Sequence, residues 1–193
     1  LALAMAGLRR RERTEAIYRE TVAALSRLTD DSGHTRPGHA RRVADLCRAM
    51  GRELLLSDRE VDNLERAALL HDVGQVALTV PLPGGASILA DPDSQRRIAG
   101  ESVRIGSKAG VAIEVSDAII ASTQQFRLVR EFGETIPLAA RILKVANAYD
   151  DLTGGRGGPA RSAALERIQL GLGYEYDPKC VDALARVTTA PPG

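Results

Sequence analysis

Apolar residues recur every three to four positions along most of the chain, which is the period of an amphipathic α-helix. This spacing predicts helices over about residues 9–29, 37–54, 58–72, 95–109, 113–126, 137–152, 160–171 and 178–188. Only residues 75–80 come near the alternation that a strand requires. Aromatic residues make up 3% of the chain and Trp is absent, which favours helices packed with Ala and Leu over a sheet. The pattern therefore predicts an all-α fold.

Local signals mark several helix ends. The polar residues 30–33 end the first helix, and Pro37 suits the first turn of the second. Ser57 and Glu60 have the spacing of a capping box, which predicts that a helix starts directly after Ser57. Residues 79–95 contain three prolines and two adjacent glycines, and they read as a loop.

Size and charge exclude several classes of protein. The chain has 193 residues, of which 44% are hydrophobic, so it is long and apolar enough for one globular domain with a sizeable core. The 26 basic and 25 acidic residues nearly cancel, and so few aromatic residues give little base stacking, so no nucleic-acid polymer is expected as a partner. Cys47 and Cys180 lie far apart in the sequence, which argues against a disulfide scaffold.

The first residues allow two interpretations. The apolar run 1–8 is followed by the basic run 9–13, whereas a membrane span needs about 20 apolar residues. Residues 1–14 are either the cytoplasmic end of a membrane helix, with membrane attachment upstream of Leu1, or the start of an amphipathic helix. Both leave the rest of the protein cytoplasmic. A helical domain is expected over residues 15–188, and a frayed tail over 189–193.

The three histidines are the first candidates for chemistry. His71 and Asp72 form a doublet at the end of an apolar helix, where an ionised carboxylate is costly unless it is paired or bound to a metal. Asp72 then either ends the helix while His71 bonds a carbonyl, or both are ligands together with His39 from the neighbouring helix. Such a nitrogen and oxygen set suits Mn, Fe, Zn or Mg. His34 lies in a polar loop and is expected to be solvated.

Several segments, in order along the chain, resemble the HD superfamily of metal-dependent phosphohydrolases, and more narrowly its HD-GYP branch. They are residues 35–43, 67–74, 136–153 and 174–181. The resemblance implies an HD-type helical bundle with an N-terminal helical arm. It also implies that His39, His71 and Asp72 are metal ligands and that Asn147 stands where the family has a late aspartate.

The chain departs from the family pattern at several ligand positions. The lysine that usually follows the doublet is replaced by Gln75, and no histidine occurs in residues 96–106, where Glu101 and Ser102 lie near the expected place. Ser122 and Thr123 replace a histidine pair, and the short loop 126–134 lacks the Gly-Tyr-Pro triplet. The resemblance with these losses predicts at most one divalent metal, held by three strong ligands and by the neutral amide of Asn147.

Two further residues match positions that the family uses around its nucleotide. They are Asp150 and Arg156, and an arginine suits phosphate recognition. Alternatively, Asp150 merely ends a helix and Arg156 is a solvated loop residue.

Three hypotheses for function follow. The leading one is a degenerate HD-GYP-like signalling domain, with weak or no catalysis, that binds a nucleotide or a protein partner, or forms a homodimer. The second is a phosphohydrolase with a reduced site in which Asp72 is the catalytic residue, and the family makes cyclic di-GMP its first substrate to test. The third is a purely structural dimerisation module.

Overall fold

The computed structural model describes residues 2–82, 85–127, 136–156 and 159–189. This part of the chain contains eight α-helices: α1 Ala2–Asp31, α2 His39–Glu53, α3 Asp58–Leu70, α4 Pro92–Lys108, α5 Ile113–Ala121, α6 Leu138–Thr153, α7 Pro159–Gln169 and α8 Pro178–Thr189. Two short 3-10 helices, Val73–Ala77 and Ser87–Leu89, lie between α3 and α4. The only β pairing among the described residues is one isolated bridge between Leu172 and Tyr176. The predicted all-α fold is confirmed.

Several predicted helix ends agree with the structure. Helix α1 ends at Asp31, inside the predicted break at residues 30–33. The Ser57 hydroxyl accepts the backbone N–H of Glu60, and the Glu60 carboxylate accepts the backbone N–H of Ser57 at 2.8 Å. This confirms the capping box, in which two unpaired amides at the start of α3 find acceptors.

Residues 75–80, which come nearest to a strand pattern, form no strand, because the 3-10 bonds from Gln75 N–H to Asp72 O and from Leu78 N–H to Gln75 O bend the chain. Two other boundaries were predicted wrongly. Pro37 precedes α2, which begins at His39 after Gly38 has turned the backbone at a φ of 72°. Helix α5 ends at Ala121 and not near residue 126.

Two predictions lie mostly outside the described part of the chain. The loop 126–134 is described only at residues 126 and 127, and the tail 189–193 only at residue 189. Residues 157 and 158, after α6, are also outside it. The division of the chain at residues 14 and 188 stays a prediction.

The core lies between α2, α3, α5, α6, α7 and α8. Its largest fully buried side chains are Met50, Leu64, Leu70, Ile119, Ile142, Leu143, Ile168 and Leu184. These residues come from helices that are distant in sequence, so burying them fixes how α2, α3 and α6 lie against one another. Burial of each such side chain contributes about 1.5–3 kcal/mol.

The second half of α1 packs on the bundle. Val22 is buried, Arg66 of α3 forms an ion pair with Glu15, and its guanidinium lies 4.9 Å from the ring centre of Tyr18. These contacts join the N-terminal helical arm to α3. None of the described helices is long and apolar enough to cross a membrane.

The helix arrangement brings three chain segments together. Helices α2 and α3 are joined by a short turn and α2 also packs on α6, so the first residue of α2 lies near the ends of both other helices. His39 is that first residue, His71 directly follows α3, and Asp150 and Asp151 occupy the last turn of α6. Side chains that are more than thirty residues apart in sequence thus meet in one place.

Candidate metal centre

Three metal-ligating side chains converge where α2 and α3 meet. His39 Nε2 lies 3.4 Å from His71 Nε2 and 3.5 Å from Asp72 Oδ2. His71 Nε2 lies 3.4 Å from Asp72 Oδ1. All three side chains are buried, and among the described residues they form the one group of three or more His, Cys, Asp or Glu with metal-ligand spacing.

Asp150 fixes the ring of His39 from the side opposite this cluster. Its Oδ2 lies 2.7 Å from His39 Nδ1, and its Oδ1 accepts a hydrogen bond from Arg42 Nε, also at 2.7 Å. Arg42 Nη2 donates a second bond to Asp150 Oδ2 at 3.0 Å. The hydrogen bond at Nδ1 leaves Nε2 directed at His71 and Asp72, which is the arrangement that carboxylates impose on metal-bound histidines.

The three carboxylates around His39, those of Asp72, Asp150 and Asp151, keep its ring protonated when no cation is bound. Burial by itself lowers the pKa of His39, but hydrogen bonds to Asp150 and Asp72 and the charge of Asp151 outweigh it and raise the pKa to about 10. A metal ion at Nε2 therefore has to replace a proton there, so its affinity rises with pH.

His71 is held by backbone groups. Its Nδ1 lies 2.8 Å from the carbonyl oxygen of Ala68, which makes Nδ1 the donor and leaves Nε2 as an acceptor that faces His39. The Ser102 hydroxyl donates to His71 O at 2.7 Å and accepts the Gly74 N–H at 2.9 Å. Ser102 thus ties the turn that carries His71 and Asp72 to α4.

Asp72 is ionised although it is buried. Burial raises the pKa of its carboxyl, but the neighbouring His71 and the hydrogen bonds of His39 and Ser87 lower it below its ordinary value. Gln75 Nε2 donates to Asp72 Oδ2 at 2.7 Å, while Gln75 Oε1 has no hydrogen-bond partner among the described residues. The carboxylate thus carries a negative charge beside the two histidines.

Asn147 lies beside the cluster. Its Nδ2 donates to Ser87 Oγ at 3.0 Å, and its buried Oδ1 has no hydrogen-bond partner in the described part of the chain. A buried acceptor without a donor is unfavourable. An ion at the cluster is one group that could satisfy it, so the predicted role of Asn147 as a weak fourth ligand stays a prediction.

The residues fit one metal ion. Donor atoms about 2.1 Å from an ion are about 3.0 Å apart at a right angle and about 3.4 Å apart at the tetrahedral angle. The two histidine nitrogens, 3.4 Å apart, match the tetrahedral value, and Asp72 places Oδ2 3.5 Å from His39 Nε2 and Oδ1 3.4 Å from His71 Nε2. Two imidazole nitrogens and a carboxylate suit borderline ions such as Zn, Fe or Mn better than a hard ion that prefers oxygen.

A pocket of about 360 Å³ opens next to the cluster. His71, Asp72, Asn147 and Ser87 form one part of its wall, and the rest includes residues of α4, α5, α6 and α7 and of the segment 170–176. Its volume lies near the lower end of the range for small-molecule sites, about 300–1,000 Å³. A ligand in this pocket would reach an ion held by His71 and Asp72.

Comparison with known proteins agrees with this geometry. The family model described as HD domain matches residues 36–152. This chain belongs to the HD domain family. Its doublet, His71-Asp72, and its first histidine, His39, all lie within the matched range.

Three curated relatives resemble this HD domain over most of its length. The chain is 30% identical to the cyclic di-GMP phosphodiesterase response regulator RpfG of Xanthomonas campestris pv. campestris (strain 8004) over 190 residues, which cover 87% of this chain and 47% of the relative. It is 25% identical to a cyclic di-GMP phosphodiesterase of Vibrio cholerae (86% and 39%) and 25% identical to the 3'3'-cGAMP-specific phosphodiesterase 3 of the same organism (86% and 38%). The chain thus spans less than half the length of these relatives, and they support the predicted HD-GYP-like character.

The positions at which this HD domain departs from the family pattern are occupied by side chains with other partners. Ser122 and Thr123 line the pocket, but their hydroxyls donate to the carbonyls of Ile119 and Ile120 at 2.8 Å. Glu101 accepts a hydrogen bond from Arg104 at 2.6 Å and does not line this pocket.

Two predicted ligand-binding residues lie away from the pocket wall. Asp150 is buried and its oxygens are engaged by His39 and Arg42, so in this HD domain it acts on the candidate ligand His39. Arg156 is exposed, and its Nε donates to Thr153 O at 3.3 Å. Neither is among the described residues that line the pocket. Their contact with a ligand stays a prediction.

Sequence reasoning missed two residues of this HD domain. The sequence identified Ser102 only as a residue near the place where the family has a histidine. In the structure its hydroxyl links the turn that carries His71 and Asp72 to α4. Asp151 is buried, and burial raises its pKa to about 7; its Oδ2 accepts the Ile88 N–H at 3.1 Å. The adjacent carboxylates 150 and 151 on an apolar helix were the available signal, since such pairs are rarely buried without partners.

Proposed function

We propose that this HD domain binds one divalent metal ion at His39, His71 and Asp72 and holds a phosphate-containing nucleotide in the adjoining pocket, as a signalling domain with weak or no hydrolysis. The observation that carries the proposal is that His39 Nε2, His71 Nε2 and the Asp72 carboxylate meet at separations of 3.4–3.5 Å, and that His71 and Asp72 line a pocket of about 360 Å³. When bound, a divalent ion supplies Lewis acidity toward a phosphoryl oxygen and lowers the pKa of water. His39 and His71 would hold it, with Asp72 as the anionic ligand.

Weak hydrolysis is proposed because the residues of a second metal site are missing. A two-metal site stabilises both the attacking and the leaving oxygen of a phosphoryl transfer. Here serine and threonine hydroxyls stand where the family has a histidine pair, and Gln75 is uncharged and turned toward Asp72. One ion without a neighbouring lysine stabilises less of the charge that develops during hydrolysis.

The relatives suggest the class of ligand. Two are named cyclic di-GMP phosphodiesterases, and the third is named for 3'3'-cGAMP. A cyclic dinucleotide is therefore the first ligand class to test on this chain.

The test is equilibrium binding and turnover of cyclic di-GMP on the same protein sample. We expect saturable binding to protein loaded with Mn²⁺, at least tenfold weaker binding by His71→Ala/Asp72→Ala, and slow or undetectable formation of linear product. Asp45→Asn, an exposed carboxylate on α2, is the control for the loss of an acidic side chain. Binding that is equal in the wild type and the double variant would contradict the proposal.

The second candidate is a metal-dependent phosphohydrolase with this reduced site. The observation that favours it is the Asp150–His39 pair. In catalytic metal sites, a carboxylate that is hydrogen-bonded to a histidine orients that histidine toward the metal. In that case the same assay shows multiple turnovers that Asp72→Asn abolishes. A purely structural dimerisation module predicts neither metal binding nor nucleotide binding.

A further inference from the structure

Two cationic side chains line the pocket away from the metal ligands. Lys144 lies on α6 three residues before Asn147, so the two side chains are one helical turn apart on the same face. Arg167 reaches the pocket from α7. The pocket that contains His71 and Asp72 therefore also has a basic side.

The ammonium group of Lys144 is engaged by an acid of the same wall. Lys144 Nζ lies 2.6 Å from Glu175 Oε1, and the two side chains are 14% and 29% exposed. Both line the pocket, so a solute that enters it can compete with Glu175 for the lysine. Neither side chain is fully buried, so the pair stays accessible to a solute in the pocket.

Arg167 is less satisfied than Lys144. It is exposed and makes no ion pair with a carboxylate of the described residues. It lines the same pocket as Tyr176, and its positive charge partly offsets the burial that raises the pKa of that phenol to about 12. Tyr176 belongs to the same wall, so Arg167 supplies a charge that a bound anion could use.

We propose that Lys144 and Arg167 form a phosphate-binding subsite of this pocket and that Glu175 occupies Lys144 until a phosphate group displaces it. The inference rests on the proposed function, in which a nucleotide enters the pocket. It assigns one phosphate of that nucleotide to residues that are not metal ligands. Lysine and arginine form strong charge-assisted bonds to phosphate oxygens.

The subsite can be tested without metal. Isothermal titration calorimetry of protein freed of metal with EDTA would compare GMP, its uncharged counterpart guanosine, and inorganic phosphate. We expect GMP to bind more tightly than guanosine, and Lys144→Gln and Arg167→Gln each to weaken GMP binding about tenfold while leaving guanosine unchanged. Lys144→Arg should retain most of the affinity, and Lys108→Gln, the same change at an exposed site outside the pocket, should retain all of it.

Glu175→Gln separates a binding role of Lys144 from a structural one. If Glu175 competes with phosphate, its removal tightens GMP binding severalfold. If the ion pair is only structural, the variant lowers the melting temperature and leaves GMP affinity unchanged, which would overturn the proposal.

The remaining outcomes separate this subsite from the proposed function. No binding of GMP or inorganic phosphate to wild-type protein would overturn the subsite, whatever the metal content. Binding of inorganic phosphate that depends on Lys144, with GMP no tighter than phosphate, would support the subsite and count against a nucleotide ligand.

Discussion

At the scale of single residues, Asp150 decides how well His39 is placed. Its carboxylate lies 2.7 Å from His39 Nδ1, and it accepts two hydrogen bonds from the Arg42 guanidinium. The ring therefore cannot rotate without breaking a buried, charge-assisted hydrogen bond. Arg42 in turn donates to the Pro37 carbonyl at 2.7 Å, which links the turn before α2 to the same network.

We predict that Asp150→Asn lowers metal affinity about 10- to 100-fold, because the neutral amide orients His39 less strongly and makes its Nε2 less basic. The measurement is a competition titration of Zn²⁺ or Mn²⁺ against a chromogenic chelator.

The matched control is Asp177→Asn. Asp177 is equally buried and is paired with Arg141 of α6, but it lies away from the cluster. This variant should lose stability and keep its metal affinity. Equal losses of metal affinity in both variants would mean that Asp150 acts only through general stability.

The cysteines give a prediction about access to the core. Cys47 and Cys180 are both fully buried, and burial raises the pKa of both thiols, that of Cys180 to about 12. The thiolate is the reactive form, so neither residue should react with Ellman's reagent except through opening of the fold. We expect labelling to follow the rate of unfolding in urea, and fast labelling without denaturant would show that the core is open around α2 and α8.

The residues that could be predicted are those with a short sequence signature. His71 and Asp72 follow an apolar helix directly, and the capping box is set by a spacing of three residues. The contact of Asp150 with His39 joins residues 111 positions apart and depends on how α6 crosses α2, which no local pattern shows. The role of Ser102 could not be predicted either, because the sequence does not show that the Gly74 amide packs against this serine of α4.

At the scale of elements, the junction between α4 and the turn after α3 holds the site in place. Gly74 lies so close to α4 that a Cβ atom there would be 2.2 Å from Ile98 O and 2.8 Å from Ser102 N. Only glycine fits, and the close approach lets Ser102 reach both Gly74 N–H and His71 O.

We therefore predict that Gly74→Ala destabilises the domain by about 3 kcal/mol or more, because backbone atoms on both sides resist the added methyl group. It should also weaken metal binding by moving Asp72. Gly100→Ala on α4 is the control, since a Cβ there meets nothing within 4 Å.

Gly100→Ala should stabilise the domain by about 0.5–1 kcal/mol, the usual gain from replacing a helical glycine. Urea unfolding measures both variants. A Gly74→Ala protein as stable as wild type would show that the turn after α3 is not packed against α4 as described.

The helices themselves were largely predictable, and their exact ends were less so. Apolar periodicity located each of the eight described helices to within a few residues at most ends. The near-alternation at residues 75–80 overlaps a 3-10 turn in which Gly74 and Gln75 are buried. Periodicity did not identify Asp91 as the N-cap of α4, whose Oδ1 accepts the N–H groups of Asp93 and Ser94 at 3.0 Å.

At the scale of the whole molecule, metal binding should be coupled to stability. The ligands come from α2 and from the end of α3, and Asp150 extends the network to α6, so an ion bound there holds three helices together. A ligand that binds only the folded state stabilises it in proportion to its free concentration.

We predict that Zn²⁺ or Mn²⁺ at 100 times its Kd raises Tm by about 5–11 °C, since the stabilisation is about 2.7 kcal/mol and a domain of this size gains about 2–4 °C per kcal/mol. Differential scanning fluorimetry with and without EDTA measures the shift. His71→Ala/Asp72→Ala should melt at the same temperature in both conditions, and a shift of the same size in that variant would place the ion elsewhere.

The most direct test of the account is the metal content of protein purified without chelator, measured by inductively coupled plasma mass spectrometry beside the His71→Ala/Asp72→Ala variant. The account predicts about one equivalent of Mn, Fe or Zn per chain in the wild type and almost none in the variant. No metal in the wild type, or the same amount in both proteins, would contradict a metal centre at His39, His71 and Asp72, and two equivalents would contradict the single ion.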